Sequence, residues 1–264
     1  MTVAALPMYD WPELRAETDA FWAALSARLA RIGLPAPERL DRDRPAAEVW
    51  ADPALLFSQT CGLPYVAGAA RGTRIVAAPV YAVEGCGAGT YRSALVTRRD
   101  GPSRAEDLSG ARFAANGPDS LSGWALLLAL VGPEAIGAVV WTGAHRASVI
   151  AVAEGRADAA AVDAVAWDFA ERFEPAAAEL QVIAWTPAAP ALPFVTSSLT
   201  PSGDRARIRA ALVDTLVDGA TAELRRELRL SRIVAFADTD YDEARRLAAL
   251  VRAAAVARPE LIPA

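Results

Sequence analysis

Lysine is absent from this chain. All 27 basic residues are arginine, which together with the abundance of alanine marks coding bias and carries no functional information. Histidine occurs once, at His145, and cysteine twice, at Cys61 and Cys86, so none of the usual zinc spacings can be met. Those two cysteines fit either two thiols or one disulfide, and for an unexported chain thiols are expected. No uninterrupted apolar run reaches the roughly 20 residues that a membrane-spanning helix needs, so no membrane insertion is expected. A net charge of −5 without a basic stripe excludes a nucleic-acid or anionic-membrane surface, and any anion pocket has to be local. Residues 1–8 have neither a basic n-region nor an apolar h-region. No signal peptide is therefore expected in this chain, and a cytoplasmic protein and a trimmed exported one share that appearance.

What is present is ample core material. At 264 residues and 53% hydrophobic content, the chain can form one large domain or two lobes of about a hundred residues or more. Residues 3–8 read as a buried strand, and Asp10, Pro12 and Glu13 then open a helix. Leu14, Thr18, Phe21, Trp22, Leu25, Leu29 and Ile32 recur at helical spacing up to Gly33. Residues 34–44 form a proline-rich, charged connection. Strands are expected at 55–57, 73–81, 90–99, 111–115, 138–141, 159–163, 181–185 and 194–199, and helices at 124–131, 164–173, 204–230 and 240–256. The glycine-rich stretch 85–89 lacks both the Gly-Lys-Ser ending and the three-glycine dinucleotide spacing, so it reads as a loop. This order implies one βα set, a crossing near 93–98, a second set and a return crossing near 194–199. Two lobes joined by two strands result, and ligands settle in such clefts.

Several polar residues stand at strand ends, where helix N-termini expose unbonded N–H groups. His145 follows the strand 138–141, and Asp163 ends the next one. The plain alternative is that His145 caps a helix and Asp163 is an N-cap. Ser120 and Ser122 open the helix after the strand 111–115, a ready anion receptor, with Asp119 or Ser120 as a simple N-cap the alternative. Tyr9 sits at a corner between strand and helix. Gln59 and Thr60 lie in a polar turn after the strand 55–57, and Tyr91 either walls a pocket or packs.

Three patterns resemble a known family. Phe113-Ala114-Ala115-Asn116-Gly117-Pro118-Asp119-Ser120-Leu121-Ser122-Gly123 is similar to an Asn…Ser-x-Ser-Gly helix start. Thr142-Gly143-Ala144-His145 with Val152-Ala153-Glu154-Gly155-Arg156-Ala157-Asp158 is similar to a Gly-x-His helix and Gly-x-Ala-Asp turn, and Tyr91-Arg92-Ser93 to a Tyr-x-Ser strand opening. Together they resemble the substrate-binding proteins of phosphate, phosphite and phosphonate ABC importers. The resemblance implies an α/β, two-lobed type II periplasmic-binding-protein-like fold, each lobe a mixed sheet flanked by helices. Lobe 1 is expected at 1–93 and 197–264, and lobe 2 at 94–196.

By the same resemblance, Ser120, Ser122 and nearby backbone N–H groups hold the oxygens of a small phosphorus oxyanion, with His145 and Tyr91 donating further bonds. Leu121 stands where a third hydroxyl is common, so one donor is missing. Asp163 accepts a proton-bearing ligand group, which favours a protonated phosphoryl anion over sulfate. Tyr9, Gln59 and Thr60 face the ligand from the other lobe. The positions at which aminoalkylphosphonate binders carry acids are Val165 and Leu192. The expected partners are the oxyanion and an ABC permease, for a monomer with no cofactor, no metal and no catalytic residues. The family is usually periplasmic. Two alternatives use the same fold: a cytoplasmic enzyme of the menaquinone-pathway type acting on a small carboxylate, and a ligand sensor. No paired carboxylates or nucleophile motif call for the enzyme.

Overall fold

Thr18, Phe21, Trp22, Leu25 and Leu29 are buried along one face of a helix, Arg15–Arg31, in a computed structural model that describes residues 2–262. That face covers a five-stranded sheet in the order Val3–Ala5, Leu55–Gln59, Phe194–Ser197, Thr73–Tyr81, Leu230–Val234. The first two strands are parallel, and the remaining pairings are antiparallel. Trp22 stacks on Phe57 with ring centroids 6.1 Å apart, and Phe57 on Phe194 at 5.2 Å. Aromatic stacks of this kind supply much of a small core's burial energy. The 34–44 connection is held by charge: Arg42 grips Asp10 at 2.7 and 3.0 Å and Asp19 at 2.7 Å.

The chain divides into two compact units, each with its own sheet. One comprises Met1–Ala82, Gly87–Gly89 and Pro190–Tyr241, and the other Val83–Cys86, Thr90–Ala189 and Asp242–Ala264. In the second, the strands run in the order Ile136–Trp141, Ala111–Ala115, Ala159–Asp163, Ser93–Arg98, Leu180–Trp185. The first three are parallel, as strands joined by helical crossovers must be, and Ser93–Arg98 runs against both of its neighbours. Helices His145–Ala153 and Ala164–Phe173 follow directly from the strands before them.

Three elements differ from the sequence expectation. The first strand stops at Ala5, before Pro7. Helix was expected over 204–230, but it breaks at Asp218–Gly219, and after Arg229, in the left-handed region at φ 57°, the chain forms the edge strand Leu230–Val234. Residues 242–264, expected with the first lobe, group with the second unit. The helix Asp242–Ala257 lays Leu250, Val251 and Ala254 against Trp124 and Leu127, and Arg258 donates to the carbonyls of Pro133 and Ile136. Cys61 and Cys86 remain thiols. Burial, reinforced by the charges of Asp163 and Asp168, pushes the Cys86 thiol up to about 12.

Candidate functional site

The parallel strands Ala111–Ala115, Ile136–Trp141 and Ala159–Asp163 share one carboxyl edge, and the polar residues singled out in the second unit gather along it. At the first strand's end, Ser120 is extended (φ −83°, ψ 125°) and caps the next turn, its Oγ accepting from Gly123 N at 3.0 Å. That turn, Leu121–Ala125, is wider than an α-helix, and the α-helix Leu126–Val131 continues from it. Wide turns of this type concentrate at functional sites. Leu121 points into the core and is fully buried, as its apolar side chain requires.

Ser122 lies at the centre. Its Oγ is 2.7 Å from His145 Nε2 and 3.4 Å from Ser120 Oγ, and its carbonyl accepts from Ser93 Oγ at 3.1 Å. The imidazole reaches this place because Gly143, at φ +83°, turns the chain, and because Thr142 ties the turn down. Thr142 N donates to Ala115 O at 2.9 Å and Oγ1 meets Ser148 Oγ at 2.7 Å. His145 is the first helical residue and not the cap, which is Ala144. Burial lowers its pKa to about 4, so the ring is neutral near pH 7. A position in the first turn of a helix acts in the same direction.

Gly123 gives Asn116 and His145 their room. A Cβ there would fall 1.9 Å from Asn116 Oδ1 and 3.2 Å from His145 Cε1. Asn116 and Gly123 belong to the motif quoted above, but from sequence neither carries an assigned role. Only the spatial approach of two strand ends gives them one.

Asp163 is an N-cap. Its Oδ1 accepts from Val165 N at 2.8 Å and Ala166 N at 3.2 Å, so one oxygen of this buried carboxylate is committed to the helix Ala164–Phe173. Losing such a cap costs about 1 kcal/mol, whereas asparagine caps as well as aspartate. Asp163→Ala is therefore expected to lower the unfolding free energy by about 1 kcal/mol in urea titration, and Asp163→Asn by a few tenths at most. Equal destabilisation by both would mean that the charge, not the cap, is what the fold needs. Tyr91, also buried, stands opposite Cys86 in an isolated bridge.

In the first unit, Tyr9 packs edge-on against Tyr81 at 5.3 Å. Gln59 Nε2 donates to Tyr81 Oη at 3.1 Å and to Leu192 O at 3.0 Å. Tyr81 thus links two of the expected site residues. It ends a strand that the sequence reveals, but its contacts cannot be read there. Thr60 is fully buried, its hydroxyl donating to Cys61 O at 3.3 Å and its N–H to Pro193 O at 3.1 Å. Among the described residues, no group of three or more His, Cys, Asp or Glu side chains is placed to hold a metal ion, and no helix is long and apolar enough to cross a membrane.

Residues 3–241 match the family model described as ABC transporter, phosphonate, periplasmic substrate-binding protein. The chain belongs to that family. Solved structures agree on the fold. A binding protein component of an ABC phosphonate transporter from Pseudomonas aeruginosa superposes with a TM-score of 0.76 at 18% identity, over 97% of this chain and 88% of that one. PhnD1 from Prochlorococcus marinus, in complex with methylphosphonate, gives 0.74 at 15% identity over 96% and 98%. A Xanthomonas citri protein bound to chloride gives 0.72 at 15% identity over 97% and 99%. No curated protein matches the chain at a significant level by sequence. This member of the phosphonate-transporter binding proteins therefore has the two-lobed type II fold that its motifs imply.

Proposed function

We propose that this binding protein captures a small phosphorus oxyanion, with methylphosphonate as the reference ligand, at the corner formed by Ser120, Ser122 and His145, and delivers it to an ABC permease. The observation that carries this reading is the 2.7 Å bond between Ser122 and His145 at the first turn of a helix. It sets a hydroxyl and an imidazole at a helix start, the kind of place where backbone N–H groups bind anions. Tyr91 is assigned a further bond to the same anion. Tyr9, Gln59 and Thr60 are assigned to the ligand from the first unit, Tyr9 and Gln59 through the Tyr81 network. Asp163 is assigned the ligand's proton, which would disfavour sulfate. Val165 and Leu192 are buried and apolar, so the ligand carries no amine at those positions.

Titration calorimetry with methylphosphonate, phosphite, phosphate and sulfate tests this. A phosphorus oxyanion is expected to bind, and His145→Ala to weaken it about tenfold, the usual worth of a hydrogen bond to a charged group. Unchanged binding in His145→Ala would overturn the site. Equal affinity for sulfate and phosphate, or no loss in Asp163→Asn, would remove the role given to Asp163.

A further inference from the structure

Ser93 closes the Tyr-x-Ser pattern and opens the strand Ser93–Arg98, fully buried. A buried hydroxyl needs a partner, and this one donates to the carbonyl of Ser122 at 3.1 Å. Its backbone is held fast. Ser93 N–H donates to Thr186 Oγ1 at 2.8 Å, Ser93 O accepts from Thr186 N at 2.9 Å, and Thr186 Oγ1 donates on to Pro187 O at 3.0 Å. Ser93 also pairs with Asp163 in the ladder, so its hydroxyl is presented from a fixed base.

The carbonyl it meets lies at a break in the helix ladder. In the wide turn Leu121–Ala125, the N–H of Ala125 reaches Ser120 O and that of Leu126 reaches Leu121 O, each five residues back. The α-helix Leu126–Val131 then returns to steps of four. A change from five to four passes over one carbonyl of the ladder. Ser122 is next in line after Leu121, and its carbonyl draws a donor from another strand, the Ser93 hydroxyl. Without that donor the uniform α-helical ladder is favoured, because a buried carbonyl left without a hydrogen bond is costly. Leu126 N–H then moves from Leu121 O to Ser122 O. The turn loses its extra residue, and Ser122 swings away from His145 by up to about 100°, the angle that one α-helical residue subtends.

We propose that Ser93 is a positioning residue whose hydroxyl holds the turn Leu121–Ala125 wide and so keeps the Ser122 hydroxyl on His145 Nε2; its consequence for binding rests on the oxyanion reading given above. Scalar couplings across hydrogen bonds, measured in ligand-free protein labelled with 15N and 13C, test the turn itself. Leu126 N is expected to couple to the carbonyl carbon of Leu121 in the wild type and to that of Ser122 in Ser93→Ala. Ser93→Cys fills the same space with only a weak donor and is expected to behave as Ser93→Ala does. Leu126 still coupled to Leu121 in either variant overturns the proposal. In calorimetry, Ser93→Ala is expected to weaken methylphosphonate about tenfold, the worth of one hydrogen bond to a charged group, and to add nothing in Ser122→Ala, where the hydroxyl it places is gone. A loss of equal size in both backgrounds also overturns it, since a merely structural residue gives that result. If methylphosphonate, phosphite and phosphate all fail to bind the wild type, the ligand reading fails, and the Leu126 couplings still decide this inference.

Discussion

Gly123→Ala is expected to weaken methylphosphonate binding about tenfold while leaving the melting temperature nearly unchanged. The new methyl would lie 1.9 Å from Asn116 Oδ1 and 3.2 Å from His145 Cε1, so Asn116 has to swing aside and the ring has to give by a few tenths of an ångström. A displaced ring loosens the Ser122–His145 bond, and one hydrogen bond to a charged ligand is worth about tenfold. The fold itself tolerates the change. Asn116 is a side chain that can swing aside, and alanine in a helical turn gains up to about 1 kcal/mol over glycine. Gly203→Ala is the control: it lies in the first turn of Ser202–Val217 with nothing within 4 Å of its added methyl, and it is expected to leave binding unchanged. Wild-type affinity in Gly123→Ala, measured by calorimetry, would place the ligand elsewhere.

The contrast between these two glycines shows where sequence reading stops. Periodicity reveals the helix Arg15–Arg31 because apolar spacing is a local property, and it reveals the helix 164–173 with its bounds because a strand ending on a carboxylate also supplies the cap. The edge strand Leu230–Val234 escapes the same reading. It follows a helix through a single left-handed arginine and exposes Ser231 and Arg232, so it lacks a buried strand's apolar run. The helix Asp242–Ala257 is legible as a helix, but not as part of the second unit. Its amphipathic pattern says that one face is covered and is silent on which core covers it.

The site divides along the same line. Strand, turn and helix order places Ser120, Ser122 and His145 on one edge, since helix starts after parallel strands converge there. The wide turn at Leu121–Ala125, the approach of Asn116 to Gly123 and the link from Gln59 through Tyr81 all depend on side-chain geometry between distant residues. A lone asparagine in a chain of 264 residues is the one compositional signal that points to any of them. Asp163 is legible as an N-cap, and its capping bonds make Asp163→Asn the informative substitution, since it removes charge without removing the cap.

Stability between pH 6.5 and pH 4 is expected to fall by about 3 kcal/mol through His145 alone, measured as the unfolding free energy at a series of pH values. Burial holds the folded ring neutral down to about pH 4, whereas an exposed imidazole in the unfolded chain takes up its proton near 6.5. In that interval the unfolded state binds one more proton. The stabilisation is thus fully present above 6.5 and is lost progressively as the pH falls towards 4. Other groups leave the interval largely clear. Hydrogen bonds from Arg44, Arg98 and Arg112 hold Asp52, Asp100 and Asp158 below the ordinary carboxylate range, so their contributions are lost only in stronger acid. Glu171, raised by burial and then by Asp168 and Glu84, has the opposite sign: its folded form takes up a proton first, which offsets part of the loss. Because no second histidine exists, His145→Ala is expected to flatten the curve between pH 6.5 and 5, and an unaltered slope in that variant would show that the ring is protonated as readily folded as unfolded.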